Sequence, residues 1–273
     1  MRQNASTLER FYNRPIGRAA AERLGDRLRD LWGSCKGEDM LGIGYTLPLI
    51  PIWRDNARSF IATLPEEIGP SPYNGTRGGL VALAPEGRLP FSDASFDRIV
   101  LLHALEEAEH PRQLMREVWR LLAPEGRIVV ATTNRRSFWS ATEAQAFGYG
   151  RPWTRTQLIK YVSDCLFTVT ASTTAVHMPP LDWPIITGAS RSWERAGDLI
   201  LPGLGGVVLV EAVKRLYAEP GGSAAAPIAQ PVKGRIGRQT LPRRDAARIG
   251  DGEGKDKSLT QRASSAPLGP NQE

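Results

Sequence analysis

The stretch Leu89-Pro-Phe-Ser-Asp-Ala-Ser-Phe-Asp-Arg-Ile-Val-Leu-Leu-His-Ala-Leu-Glu106, followed by Arg116-Glu-Val-Trp-Arg-Leu-Leu-Ala-Pro-Glu-Gly-Arg-Ile-Val-Val130, decides the fold. Phe96 to His103 has a continuous apolar centre, which a strand of a parallel sheet covered on both faces needs. Pro111 to Leu122 reads as an amphipathic helix, with Leu114, Met115, Val118, Leu121 and Leu122 on one side. Pro124-Glu-Gly126 reads as a turn, and Arg127 to Thr132 as the next strand, β-branched at Ile128, Val129 and Val130.

Working outward, the same alternation continues. Ser6-x-x-Glu9 has the pattern of a capping box, and Pro15 and Gly17 punctuate after it. A helix is predicted from Arg18 to Trp32, with Leu24, Leu28 and Leu31 as its apolar stripe and Arg23, Asp26, Arg27 and Asp30 off it. Gly33 ends it. Asp39 to Thr46 is a short apolar run ending in Gly-x-Gly. Ser59 to Thr63, Gly79 to Leu83, Phe167 to Ser172 and Gly206 to Val213 read as strands. Thr154 caps a helix through Cys165, and Ser192 to Leu201 reads as an amphipathic helix packed on the core. Strands alternating with helices give an α/β class with a mainly parallel sheet.

The chain has 273 residues, 41% of them apolar, which leaves ample material for a core. Only Cys35 and Cys165 are present, and three histidines lack paired spacing, so no disulfide scaffold and no metal motif is expected. The most apolar stretch, Leu199 to Val213, is broken by Pro202, Gly203, Gly205 and Gly206 and is too short for a membrane span. The N-terminus has no apolar signal region, so a cytoplasmic, reducing location is expected. The net charge is +6. Residues 219–273 hold nine Lys or Arg against six acids, no Phe, Trp or Tyr, six prolines and eight glycines. Such a segment buries too little to offset its ordering entropy and reads as a disordered basic tail, available to a protein partner. Mixed charge without aromatics speaks against nucleic acid as that partner. The expected organisation is an N-terminal helical segment, 1–35, a main domain, 36–218, and the tail.

Gly42-Ile-Gly44 after a strand suggests a nucleotide-type turn, where glycine lets backbone approach a ligand closely. With Leu-Pro-Phe, Ser-Phe-Asp, His-Ala-Leu-Glu and Leu-Leu-x-Pro-x-Gly-Arg in order after it, the chain resembles the class I S-adenosylmethionine-dependent methyltransferases. It is most similar to the quinone-biosynthesis-like branch that methylates small molecules. The resemblance implies a Rossmann-like sheet of seven strands, the last antiparallel, with helices on both faces. It also implies S-adenosyl-L-methionine as cofactor over the carboxyl ends of the first strands, against Gly42, Gly44, Tyr45 and Thr46, and a small-molecule acceptor.

The chain departs from the family pattern at several points. The acid expected two residues before the first glycine is Met40, and the third glycine is Thr46. A ribose-binding acid at the end of the second strand falls to Glu66 or Glu67, since a carboxylate accepts two hydroxyls. The adenine-facing acid falls beside Pro85, at Glu86. These shifts support an alternative, a non-catalytic relative acting as a binding or regulatory module. By the resemblance His103 faces the reaction centre and is the candidate base. Glu106 and Glu107 are read as opening a helix whose dipole they complement, and Asp97 as structural. Asn134 and Arg135 follow the fifth strand, on the expected ligand side, where an arginine can hold an anionic acceptor. Tyr149, Trp153 and Trp183 lie in turn-rich segments that cover the acceptor pocket in the family.

Overall fold

The fold comes from a computed structural model that describes residues 3–53, 56–69, 79–141 and 146–216. The tail predicted over 219–273 lies outside the described residues.

Seven strands form one sheet: β1 (Asp39–Gly44), β2 (Ser59–Pro65), β3 (Gly79–Ala84), β4 (Phe96–Leu102), β5 (Leu122–Thr133), β6 (Thr168–Ala175) and β7 (Val207–Val213). Their order is β3-β2-β1-β4-β5-β7-β6. β1 to β5 run parallel, and β7 is antiparallel to both β5 and β6. The Rossmann-like α/β reading therefore holds, including the antiparallel last strand.

Alternating side chains feed two apolar layers, because successive strand residues point to opposite faces. Leu41, Ile43, Ile99, Leu101, Ile128 and Val130 pack with Leu114, Val118, Leu158 and Val162. These last four come from α4 (Pro111–Leu121) and α5 (Arg155–Asp164). Met40, Val100, Leu102 and Val129 pack on the opposite face. There they meet residues of α1 (Ala5–Asn13), α2 (Pro15–Trp32) and α3 (Ile50–Trp53). Thr154 caps α5 with Gln157 in a reciprocal capping box, fixing where that helix starts.

Several local expectations are corrected. Asn4, not Ser6, caps α1: its side chain accepts from the Thr7 amide at 2.9 Å, and the Ser6 hydroxyl donates to the same oxygen. Pro15 opens α2 rather than preceding it, since a first-turn proline loses no helical hydrogen bond. The Pro124 turn is a bulge within β5: Phe96 pairs Leu122, Arg98 pairs Arg127, and Glu125 takes φ +58°. Residues 104–107 form a turn, not the start of a helix, so the dipole role read for Glu106 and Glu107 falls away.

The surface helices α6 (Pro184–Gly188) and α7 (Ser190–Ile200) complete the fold. Leu199 and Ile200 of α7 are 84% and 70% exposed, against the expected core packing. The polar side of α7 faces inward because Arg27, buried on α2, draws Glu194 at 3.2 Å and Asp198 at 2.7 Å. The expectation that Arg27 and Arg23 sit off the buried face is wrong for the same reason: ion pairs let both guanidinium groups lie under cover.

Candidate active site

The carboxyl ends of β1, β2 and β4 meet where open parallel sheets place ligands. β1 ends at Gly44, whose φ of +81° favours glycine, and a Cβ there would fall on the Leu102 carbonyl. The Tyr45 amide donates to that same carbonyl at 2.8 Å, tying the turn to the end of β4. Thr46 curls back until its Oγ1 occupies the space a Gly42 Cβ would need. The first glycine is thus required by the chain's own threonine.

Past β4 the chain turns sharply at His103, which takes φ +53°. Its ring is buried between Tyr12 of α1 and Phe147. The Tyr12 hydroxyl lies 2.8 Å from His103 Nε2, and Glu106 Oε1 lies 3.5 Å from His103 Nδ1. Tyr12 also stacks on Tyr45, with ring centroids 5.7 Å apart. Burial first, then the charges of Tyr45 and Glu106, pushes the Tyr12 hydroxyl well above its ordinary range. It is therefore a neutral hydroxyl at any ordinary pH. Sequence reading singled out His103 as the candidate base, passed over Tyr12, an unremarkable helix aromatic, and gave Glu106 another role.

The other expected residues separate. Glu66 is exposed at the end of β2, and Glu86 is half-buried on the loop after β3. Asn134 is not free to face an acceptor. Its Nδ2 donates to the carbonyls of Gly203 and Gly205 at 3.0 and 2.7 Å, and its Oδ1 accepts from the Arg136 amide. Its amide serves the 203–205 turn. Arg135 and Trp153 line one cleft together, Tyr149 lines another beside α1, and Trp183 stands 60% exposed at the start of α6. His177, Glu194 and Asp198 also converge. Arg27 already bonds both carboxylates there, so the cluster reads as an ion-pair network.

Residues 73–130 match the family model described as a methyltransferase domain. The fold is similar to an S-adenosylmethionine-dependent methyltransferase of Thermotoga maritima, at 17% identity and TM-score 0.56, covering 76% of this chain and 94% of that one. A second such enzyme, from Aquifex aeolicus, aligns at 13% identity and TM-score 0.54, covering 77% and 98%. The 1,6-didemethyltoxoflavin-N1-methyltransferase of Burkholderia thailandensis, solved with bound 1,6-didemethyltoxoflavin and S-adenosylhomocysteine, aligns at 15% identity and TM-score 0.50, covering 72% and 79%. No curated protein matches by sequence. Residues 73–130 thus carry the sequence match to a methyltransferase domain, and the whole sheet has the fold of solved S-adenosylmethionine-dependent methyltransferases. No helix among the described residues is long and apolar enough to cross a membrane.

Thr46 Oγ1, His103 Nδ1 and both Glu106 carboxylate oxygens are buried without a hydrogen-bond partner among the described residues. Buried polar atoms call for partners, and an ammonium and hydroxyls supply them. Glu66 stands at the strand end with an exposed carboxylate suited to a vicinal diol. These unpartnered atoms and the Glu66 carboxylate are of the chemical type that ammonium and hydroxyl groups need, while Thr46 Oγ1 fills the space above Gly42.

Proposed function

We propose that this chain transfers a methyl group from S-adenosylmethionine to a small-molecule acceptor in the cytoplasm. The observation that carries the reading is the buried polar group formed by His103, Glu106 and Tyr12 at the carboxyl end of β4, beside the glycine turn of β1. The cofactor's sulfonium supplies an already activated methyl group, so the protein's work is orientation, exclusion of water and handling of a proton.

Gly42, Gly44, Tyr45 and Thr46 line the methionine end of the cradle, Glu66 takes the ribose hydroxyls, and Glu86 lies on the adenine side. His103 acts as general base. With its proton on Nδ1, toward Glu106, its Nε2 lone pair accepts from Tyr12 and, in turn, from an acceptor hydroxyl or amine that takes the place of Tyr12. Glu106 then stabilises the imidazolium that results. Phe147 and the other rings around His103 keep water away from it.

A second reading, a binding module without turnover, is favoured by Met40 and Thr46. One is a buried apolar side chain where the family has an acid, and the other fills the space above Gly42.

Incubating the full chain with methyl-labelled S-adenosylmethionine and a panel of phenols, amines and carboxylic acids separates the two. Label in a product, lost in His103→Gln, supports transfer. Cofactor bound with no label moved to any acceptor supports the binding module.

A further inference from the structure

On the α4 and α5 side of the sheet, a cleft of about 510 Å³ opens between the loops that follow β4 and β5. Arg112 comes from the first turn of α4, Arg135 from the loop after β5, Arg151 from the loop before α5, and Lys160 from α5. Trp153 and Tyr161 give the cleft an aromatic wall, their ring centroids 5.0 Å apart. Four cations face this space against one acid, Asp164, which already pairs with Lys160 at 2.8 Å. Arg112 and Arg151 have no carboxylate partner among the described residues, and the buried indole N–H of Trp153 has no acceptor there.

The exposed guanidinium groups are solvated and together make the cleft strongly positive, while the buried indole N–H of Trp153 is left without an acceptor. An aromatic molecule carrying a carboxylate or phosphate matches the positive charge, the aromatic wall and the indole. The anion takes the arginine forks, the ring packs on Trp153 and Tyr161, and an oxygen can accept from the indole.

The cleft adjoins the turn that follows β4. Leu105 lines it, two residues beyond His103, and the Arg151 amide donates to the Glu106 carbonyl at 2.8 Å. We propose that this cleft holds the anionic end of an aromatic acceptor, with Arg112 and Arg151 as the specificity-determining residues. This rests on the reading of the chain as a small-molecule methyltransferase.

The test uses the full chain without cofactor, titrated with benzoate, phenyl phosphate and neutral benzamide, and separately with S-adenosylhomocysteine. Both anions are expected to bind at least tenfold tighter than benzamide, and binding is expected to weaken as salt rises. The tighter anion tells whether carboxylate or phosphate is preferred. Arg112→Gln combined with Arg151→Gln should lower affinity for the anions by about ten- to a hundredfold without moving the melting temperature. Equal binding of benzamide and benzoate, unchanged affinity in the double variant, or no binding of either anion while S-adenosylhomocysteine binds would each overturn the proposal. Anion binding without S-adenosylhomocysteine binding would leave the cleft standing and remove the transferase reading instead.

Discussion

The Tyr12 hydroxyl and the His103 Nε2 atom, 91 residues apart in the chain, lie 2.8 Å apart in the fold. That contact joins α1 to the loop after β4 over the end of β1. Removing the hydroxyl in Tyr12→Phe leaves a buried imidazole nitrogen unpaired, at an expected cost of about 1–2 kcal/mol. The pH dependence is also specified. Burial holds the folded Tyr12 protonated above its ordinary value of 10.0, so its contribution is complete below pH 10 and is lost above it, where the unfolded tyrosine ionises. Denaturant melts should show the wild-type advantage constant from about pH 6 to 9 and smaller by about pH 11. An advantage that grows with alkalinity would contradict this.

Glu194 gives the acid-side counterpart. Burial pushes its carboxyl up, but hydrogen bonds from His177 and the charges of His177 and Arg27 outweigh that and hold it below its ordinary 4.5. A depressed carboxyl contributes stability above its unfolded value, and loses that contribution as pH falls through the folded one. Glu194→Gln is expected to cost about 2 kcal/mol near neutrality, and the difference from wild type should shrink as pH is lowered from neutrality to below 4.5. Circular dichroism melts across that range would check it.

Gly44 combines a positive φ with a crowded Cβ position. At φ +81°, with a Leu102 carbonyl and Ala104 Cβ in the way, Gly44→Ala should cost about 2–3 kcal/mol and displace the Tyr45 amide from Leu102. Gly33, also at positive φ but with open space around its Cβ position, should be the milder site of the two. Thermal melts of Gly44→Ala and Gly33→Ala compare them directly.

Asn134 and Arg135 are neighbours with separable roles. Asn134→Ala strips two carbonyls of their donor, and an expected loss of about 2 kcal/mol should appear as a lower melting temperature. Arg135, exposed and with its side chain donating to the Pro152 carbonyl, should leave melting unchanged when replaced by Ala and weaken anion binding in the cleft.

The sheet was legible because its signals are local. The apolar run of Phe96 to Leu102 and the stripe of Pro111 to Leu121 each reflect burial by their own periodicity. Phe96, whose partner jumps from Leu122 to the Arg127 side at Arg98, marks where that fails, since a bulge has no sequence period. The candidate site was half legible. Gly42, Gly44 and His103 lie in motifs, whereas Tyr12 reaches the site only through tertiary packing. Asn134 looked like a ligand contact because its side chain can donate, and only the fold reveals that Gly203 and Gly205 consume it. α7 misled because its apolar stripe, normally the buried one, is turned outward by the pull of Arg27 on Glu194 and Asp198.

The central claim is that the carboxyl ends of β1, β2 and β4 hold S-adenosylmethionine. Calorimetric titration of the full chain with S-adenosylmethionine and S-adenosylhomocysteine tests it without knowledge of the acceptor. The account predicts micromolar binding at one site, weakened about tenfold in Glu66→Gln and lost in Gly44→Arg. No heat at millimolar ligand, or binding that both variants leave unchanged, would contradict it.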